Sequence, residues 1–213
     1  MEVSQKPCTI YLARHGETEW NLSQRLQGHM DSPLTPLGIE QAKKLGQRLL
    51  NVKFDAVFSS DLGRAKRTAE LVAIEHKLLV ITNAALREFR FGEGEGMKTS
   101  EYRDKFQQTI SQRDRLLYKD RINYRVSPGS ETINEMLQRV TLFMREVAAL
   151  YRGKKVLLVS HGGVLRHILI HFNFATEEEL PYNSVQNTAC IIIKTDGAEF
   201  KVVETMGVTK KRL

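Results

Sequence analysis

Arg14 and His15 stand side by side directly after the apolar run Thr9-Ile10-Tyr11-Leu12-Ala13, which brings a fixed cation and a nucleophile to one point. The pair suits phosphoryl chemistry. A guanidinium fork holds phosphate oxygens bidentately, and a neutral imidazole nitrogen can attack phosphorus. Two further segments have the same form: Val57-Phe58-Ser59-Ser60-Asp61 runs on to Arg64, and Val156-Leu157-Leu158-Val159-Ser160 runs on to His161. Ligands of open α/β sheets bind beyond the carboxyl ends of the strands, so three strands that each deliver an Arg or His there predict one shared anion site. A single Arg-His-Gly would read as a satisfied core histidine beside a surface arginine. The repetition decides between the two.

A phosphomonoester is a dianion, and one opposite charge about 4 Å away contributes on the order of 4 kcal/mol at an effective dielectric near 20. Two arginines are therefore expected, and as cations they also disfavour an imidazolium, which keeps His15 neutral and nucleophilic. The chemistry as drawn needs no metal and no other cofactor. His167 and His171, four residues apart, have a spacing that can bind zinc, but they lack a third ligand at suitable spacing. Gly162-Gly163 lacks the rest of a dinucleotide-binding Gly-x-Gly-x-x-Gly.

These segments fall within Arg14-His15-Gly16-Glu17-Thr18-Glu19-Trp20-Asn21, Gln27-Gly28-His29-Met30-Asp31-Ser32-Pro33-Leu34-Thr35, Ser59-Ser60-Asp61-Leu62-Gly63-Arg64-Ala65, Leu86-Arg87-Glu88, Gly129-Ser130-Glu131-Thr132 and Ser160-His161-Gly162-Gly163. In content and order they resemble the histidine phosphatase superfamily, the phosphoglycerate mutase-like group, along nearly the whole chain. The resemblance implies that His15 is the phosphorylated nucleophile, with Arg14, Arg64 and His161 around the transferred group and Glu88 as proton donor. It adds Asn21, Gln27, Gly28 and the backbone N–H of Gly162 to the phosphate and substrate contacts. The implied activity is metal-independent hydrolysis of a small phosphorylated metabolite, with phosphoglycerate mutase as the alternative. Hydrolysis is preferred because Glu88 and His161 are 73 positions apart, whereas the mutase branch typically carries a longer insertion there. The chain departs from the family at Gly94, where tryptophan is common. Gly92, Gly94 and Gly96 therefore predict a loose loop beside Glu88.

The elements that must position these residues alternate. Strands are expected at about 8–13, 55–59, 78–82, 155–160 and 188–194, and helices at about 36–50, 62–75, 131–151 and 162–172. Thr35 and Pro36 start one helix, Ser60 or Asp61 caps the next, and Thr132 with Glu135 forms a capping box. Asp196-Gly197 reads as a hairpin turn leading into Phe200-Lys201-Val202-Val203. The expected architecture is a three-layer α/β/α sandwich with a mostly parallel sheet and an antiparallel edge.

The chain has 213 residues, of which 41% are hydrophobic, enough for one large core and a single domain over 1–213. Met1 to Lys6 lacks a signal-peptide core and no apolar run approaches the length of a membrane helix, so a cytoplasmic protein without membrane partners is expected. Cys8 and Cys190 lie in apolar stretches and read as reduced core residues. The net charge of +7 admits nucleic-acid binding as a second class. Its best segment is Arg113 to Arg125, with a remote tail at Lys210-Lys211-Arg212. A solvated face, or a lid over an anionic substrate within an insertion at about 97–128, is preferred to nucleic acid. A phosphoprotein-binding module without catalysis is a third class, opposed by the presence of Arg14, His15, Arg64, Glu88 and His161 together. A homodimer is left open.

Overall fold

The computed structural model describes residues 6–211. Six strands, β1 (Cys8–Arg14), β2 (Ala56–Ser59), β3 (Val80–Thr82), β4 (Lys155–Ser160), β5 (Val185–Thr195) and β6 (Phe200–Val208), form one sheet in the order β3-β2-β4-β1-β5-β6. The first four are mutually parallel, while β5 runs antiparallel to β1 and β6 antiparallel to β5. Eight α-helices accompany them: α1 (Glu19–Leu22), α2 (Pro36–Leu49), α3 (Gly63–Ala73), α4 (Thr99–Lys105), α5 (Gln107–Asp114), α6 (Tyr118–Arg121), α7 (Ile133–Leu150) and α8 (Gly162–His171). This is the expected three-layer α/β/α sandwich with an antiparallel edge.

The central strands are continuous apolar runs because both sheet faces are covered. Ile10, Leu12, Val156 and Leu158 pack against α7 and α8, whereas Tyr11, Ala13, Leu157 and Val159 pack against α2 and α3. Register then sets the site. Arg14 pairs with Ser160 and Ser59 with Val159, so β1, β4 and β2 end together and the chain leaves all three at one edge.

Thr35 caps α2, with Pro36 at its first position, and the Thr132–Glu135 capping box opens α7. The cap expected for α3 is corrected. Leu62 occupies the N-cap and donates its N–H to Ser60 Oγ, while Asp61 turns away to pair with Arg87. The helix start is served instead by Asp31, which accepts from the Gly63 and Arg64 backbone. Two strand bounds shift as well: β3 is shorter than expected and β5 begins earlier, at Val185. A register shift between Val185 and Cys190 accompanies Thr188 in the left-handed region at φ 57°, a bulge that a periodicity of two cannot reveal.

The loop expected to be loose is not. Glu95 Oε1 accepts from the N–H groups of His29 and Phe91 at 3.0 and 3.1 Å, and Gly96 donates to the Leu26 carbonyl at 2.8 Å. At Gly94 the Tyr102 ring fills the space, since an added Cβ would lie 2.4 Å from it. Phe89, Phe91, Tyr102 and Phe106 form a chain of ring contacts that fastens α4 to the body. Both thiols are free and buried, and burial pushes Cys8 to about 11 and Cys190 to about 12. None of the described helices is long and apolar enough to cross a membrane.

Candidate active site

His15 follows β1 and is nearly fully buried. Its Nδ1 lies 2.7 Å from the Gly16 carbonyl. A carbonyl only accepts, so Nδ1 carries the proton and Nε2 presents its lone pair. Burial, then Arg64 and Arg14, holds the imidazole well below its ordinary range. His161 packs edge-on against it with ring centroids 5.2 Å apart, and is likewise held well below its ordinary range by burial, then Arg64, His15, Arg139 and Arg14. Both rings are therefore neutral in the free protein. Neither ring nitrogen of His161 has a protein partner.

Arg64, only 1% exposed, is fixed from the loop before α2. Its Nη1 donates to the Met30 carbonyl at 2.7 Å and to Asp31 Oδ1 at 2.9 Å, and its Nη2 to the Gly28 carbonyl at 2.8 Å. Since a guanidinium has five N–H donors, Nε–H and one Nη2–H remain, a side-on pair that matches two oxygens of a phosphoryl group. Arg14 donates through Nη1 to the Val185 carbonyl at 2.6 Å, and its buried Nε has no protein partner. The strand ends thus collect donors that the protein itself does not satisfy.

Glu88 reaches the same place from the loop after β3. Its carboxylate accepts from Phe89 N–H at 2.9 Å and from Gly163 N–H at 3.1 Å. Gly163 leaves room for this carboxylate, since a Cβ there would sit 2.5 Å from Glu88 Oε1 and displace it. Gly162 lies against Arg14, where a Cβ would come within 3.0 Å of Nε. Asn21 Oδ1 accepts from Thr18 N–H at 3.1 Å and from Asn187 Nδ2 at 3.3 Å, leaving its own amide N–H groups to the cavity. Gln27 lines the cavity with a buried, unpartnered Oε1. Gly28 acts through its carbonyl and its left-handed φ of 53°. All nine residues singled out from the sequence therefore converge.

Sequence reasoning missed the residues behind them. Arg139 of α7 donates to the carbonyls of Ala85, Arg87 and Glu88 at 2.7 to 2.9 Å while pairing with Glu131, and so clamps the loop that carries Glu88. Its only signal was Glu131 eight positions earlier, in a recognised motif. Asn187, placed by the β5 bulge, donates to the His15 carbonyl at 3.2 Å and had no signal. Asp31 lay within a motif, but its partner across the site was invisible.

His167 is buried and His171 exposed. Among the described residues no group of three His, Cys, Asp or Glu side chains is arranged to hold a metal. The basic segment is largely paired, Arg113 with Asp114, Arg121 with Glu177 and Arg125 with Glu135. In the tail, Lys210 lies over the Phe174 ring, and Arg212 lies outside the described residues, as does most of the Met1–Lys6 stretch.

The architecture is that of phosphoglycerate mutase-like proteins, with the site at the strand ends. The chain belongs to the histidine phosphatase superfamily (branch 1), whose profile matches residues 10–206. It is 37% identical over 160 residues to a protein of Yersinia pestis (strain Pestoides F) named probable phosphoglycerate mutase GpmB, covering 75% of this chain and 72% of that one. A solved phosphoglycerate mutase from Bacillus anthracis str. Sterne superposes with a TM-score of 0.84 at 26% identity, over 98% of this chain and 96% of the other. A putative alpha-ribazole-5'-P phosphatase from Escherichia coli str. K-12 substr. MG1655 gives 0.74 at 26% identity, over 96% and 97%.

Proposed function

We propose that the chain is a metal-independent phosphomonoester hydrolase that works through a phosphohistidine on His15. The observation that carries this reading is the Nδ1 contact to the Gly16 carbonyl, which leaves Nε2 unprotonated among cations that keep the ring neutral. Nε2 attacks phosphorus and the ester P–O bond breaks. Arg14, Arg64 and His161 hold the equatorial oxygens, and the Glu88 carboxyl gives its proton to the departing alkoxide. The carboxylate then takes a proton from water, whose oxygen attacks phosphorus and frees Nε2 with inorganic phosphate. Helices α4 and α5, which line the cavity, form the cover over the leaving group in this reading.

The wide cavity beside His15, about 880 Å³, favours water over retention of a reoriented product. The mutase alternative draws on the names of relatives and on the packing of Tyr102 against Gly94. One experiment separates them: 3-phosphoglycerate supplied with a bisphosphoglycerate primer should yield phosphate faster than 2-phosphoglycerate. Fast isomerisation with little free phosphate would make the chain a mutase. Labelled enzyme quenched in alkali should keep its phosphate and lose it in acid, and His15→Ala should neither label nor turn over. A fully active His15→Ala protein would end the covalent mechanism.

A further inference from the structure

The cavity volume of about 880 Å³ is near the top of the range for small-molecule sites and far more than a three-carbon phosphoester fills. Its wall beyond Glu88 carries cations that phosphoryl transfer leaves unused. Gly163, which touches Glu88, shares a face of α8 with Arg166 and His167 at i+3 and i+4, and all three line the cavity. These two side chains therefore continue the wall about one helical turn, roughly 5 Å, past the carboxyl.

Arg166 is only 5% exposed. Its Nε donates to the Leu180 carbonyl at 2.5 Å, the Tyr182 ring lies 4.8 Å from its guanidinium carbon, and its buried Nη1 has no protein partner. His167, equally buried, leaves Nδ1 without one. The carboxylate beside Arg166 is Glu177, at 3.6 Å, but Glu177 is shared with Arg121 at 2.8 Å. Two guanidiniums thus face one carboxylate. Arg113 of α5 lines the same cavity and uses Nε and Nη2 on Asp114, so its Nη1 is free of that contact. A buried cation with half a counter-charge is costly unless an anion meets it.

We infer that Arg166 and Arg113, with His167 beside them, form a second anion subsite that takes a carboxylate or second phosphate at the far end of an extended phosphomonoester. Ile110, Val126 and Phe89, in the same lining, face the apolar body between the two charged ends. The inference rests on the hydrolase reading for placing the reacting phosphate at His15.

Binding of non-hydrolysable phosphonates tests it without turnover. Calorimetry should find 4-carboxybenzylphosphonate bound at least about tenfold more tightly than its carboxamide, the worth of a charge-assisted hydrogen bond. Whether 1,4-xylylenebisphosphonate binds above or below the carboxylate then tells which anion the subsite prefers. Arg166→Gln should reduce the carboxylate-to-carboxamide ratio to within about twofold. Should that buried variant not fold, Arg113→Gln, at a less buried position, should lower the same ratio. Equal affinity of the wild-type protein for acid and amide would overturn the subsite, as would a full preference surviving in the folded variants. Phosphate release from p-nitrophenyl phosphate is scored separately, and its absence would refute the hydrolase reading alone.

Discussion

His167 stays neutral in the folded protein because burial, then Arg166 and Arg113, pushes its imidazole down to about 3. In the unfolded chain an imidazole titrates near 6.5. Between those values the unfolded state binds a proton that the native state refuses, so stability falls as the pH drops below about 6.5. Each unit costs about 1.4 kcal/mol, and His167 alone should cost about 2 kcal/mol between pH 7.5 and pH 5. His167→Gln removes this titration. Lost packing will weaken the variant near pH 7.5, but its deficit against the wild type should shrink, or reverse, by about 2 kcal/mol at pH 5. His15 and His161 act in the same direction, and they cancel in the comparison because both proteins keep them. Urea unfolding at the two pH values measures the gap. A gap that does not change with pH would refute the neutral, desolvated His167 and the cationic wall inferred around it.

Arg64→Ala should lower kcat/KM by at least about 2 kcal/mol of transition-state stabilisation, read from steady-state kinetics, because a charge-assisted contact and a Coulomb attraction vanish together. EDTA should leave the wild-type rate unchanged, and dependence on an added divalent ion would contradict the site as drawn. Glu88→Gln should slow alkyl phosphates far more than p-nitrophenyl phosphate, whose leaving group needs little protonation. Equal losses would give Glu88 a structural role or make dephosphorylation limiting for both. Gly94→Ala forces a Cβ to within 2.4 Å of the Tyr102 ring. It should cost about 1–3 kcal/mol in urea unfolding and speed amide exchange in α4, whereas an unperturbed variant would show that the ring moves freely.

The residues that end strands were legible because phosphate chemistry restricts their types and sheet topology restricts their places. His15, Arg64 and His161 could be read from three apolar runs alone, and the parallel register then aligned them. What escaped was tertiary complement. Asp31 caps a helix that begins more than thirty positions later, and Arg139 satisfies three carbonyls on a loop more than fifty positions earlier. Neither contact leaves a local pattern. The Phe91–Gly96 run misled for a related reason: its glycines answer the close approach of Tyr102 and Pro128, and hydrogen bonds to Glu95 and Leu26 supply the order. Composition reports what a glycine permits, while only packing reports why it is there.

The distant partners also explain how so many cations coexist. Arg64 faces Asp31, Arg87 faces Asp61 and Arg139 faces Glu131, so each of these guanidiniums arrives with a carboxylate that lies behind it. Arg14 is held by a carbonyl instead. A protonated His15 or His161 would add charge to a buried space that already contains Arg14 and Arg64, and their depressed titration follows from that geometry. The carboxylates thus let rigid forks be placed at the strand ends, and the neutral rings leave lone pairs there. An imidazole can act as a nucleophile only in that form, so the charge balance that stabilises the folded site is the same condition that readies Nε2 of His15 for phosphorus.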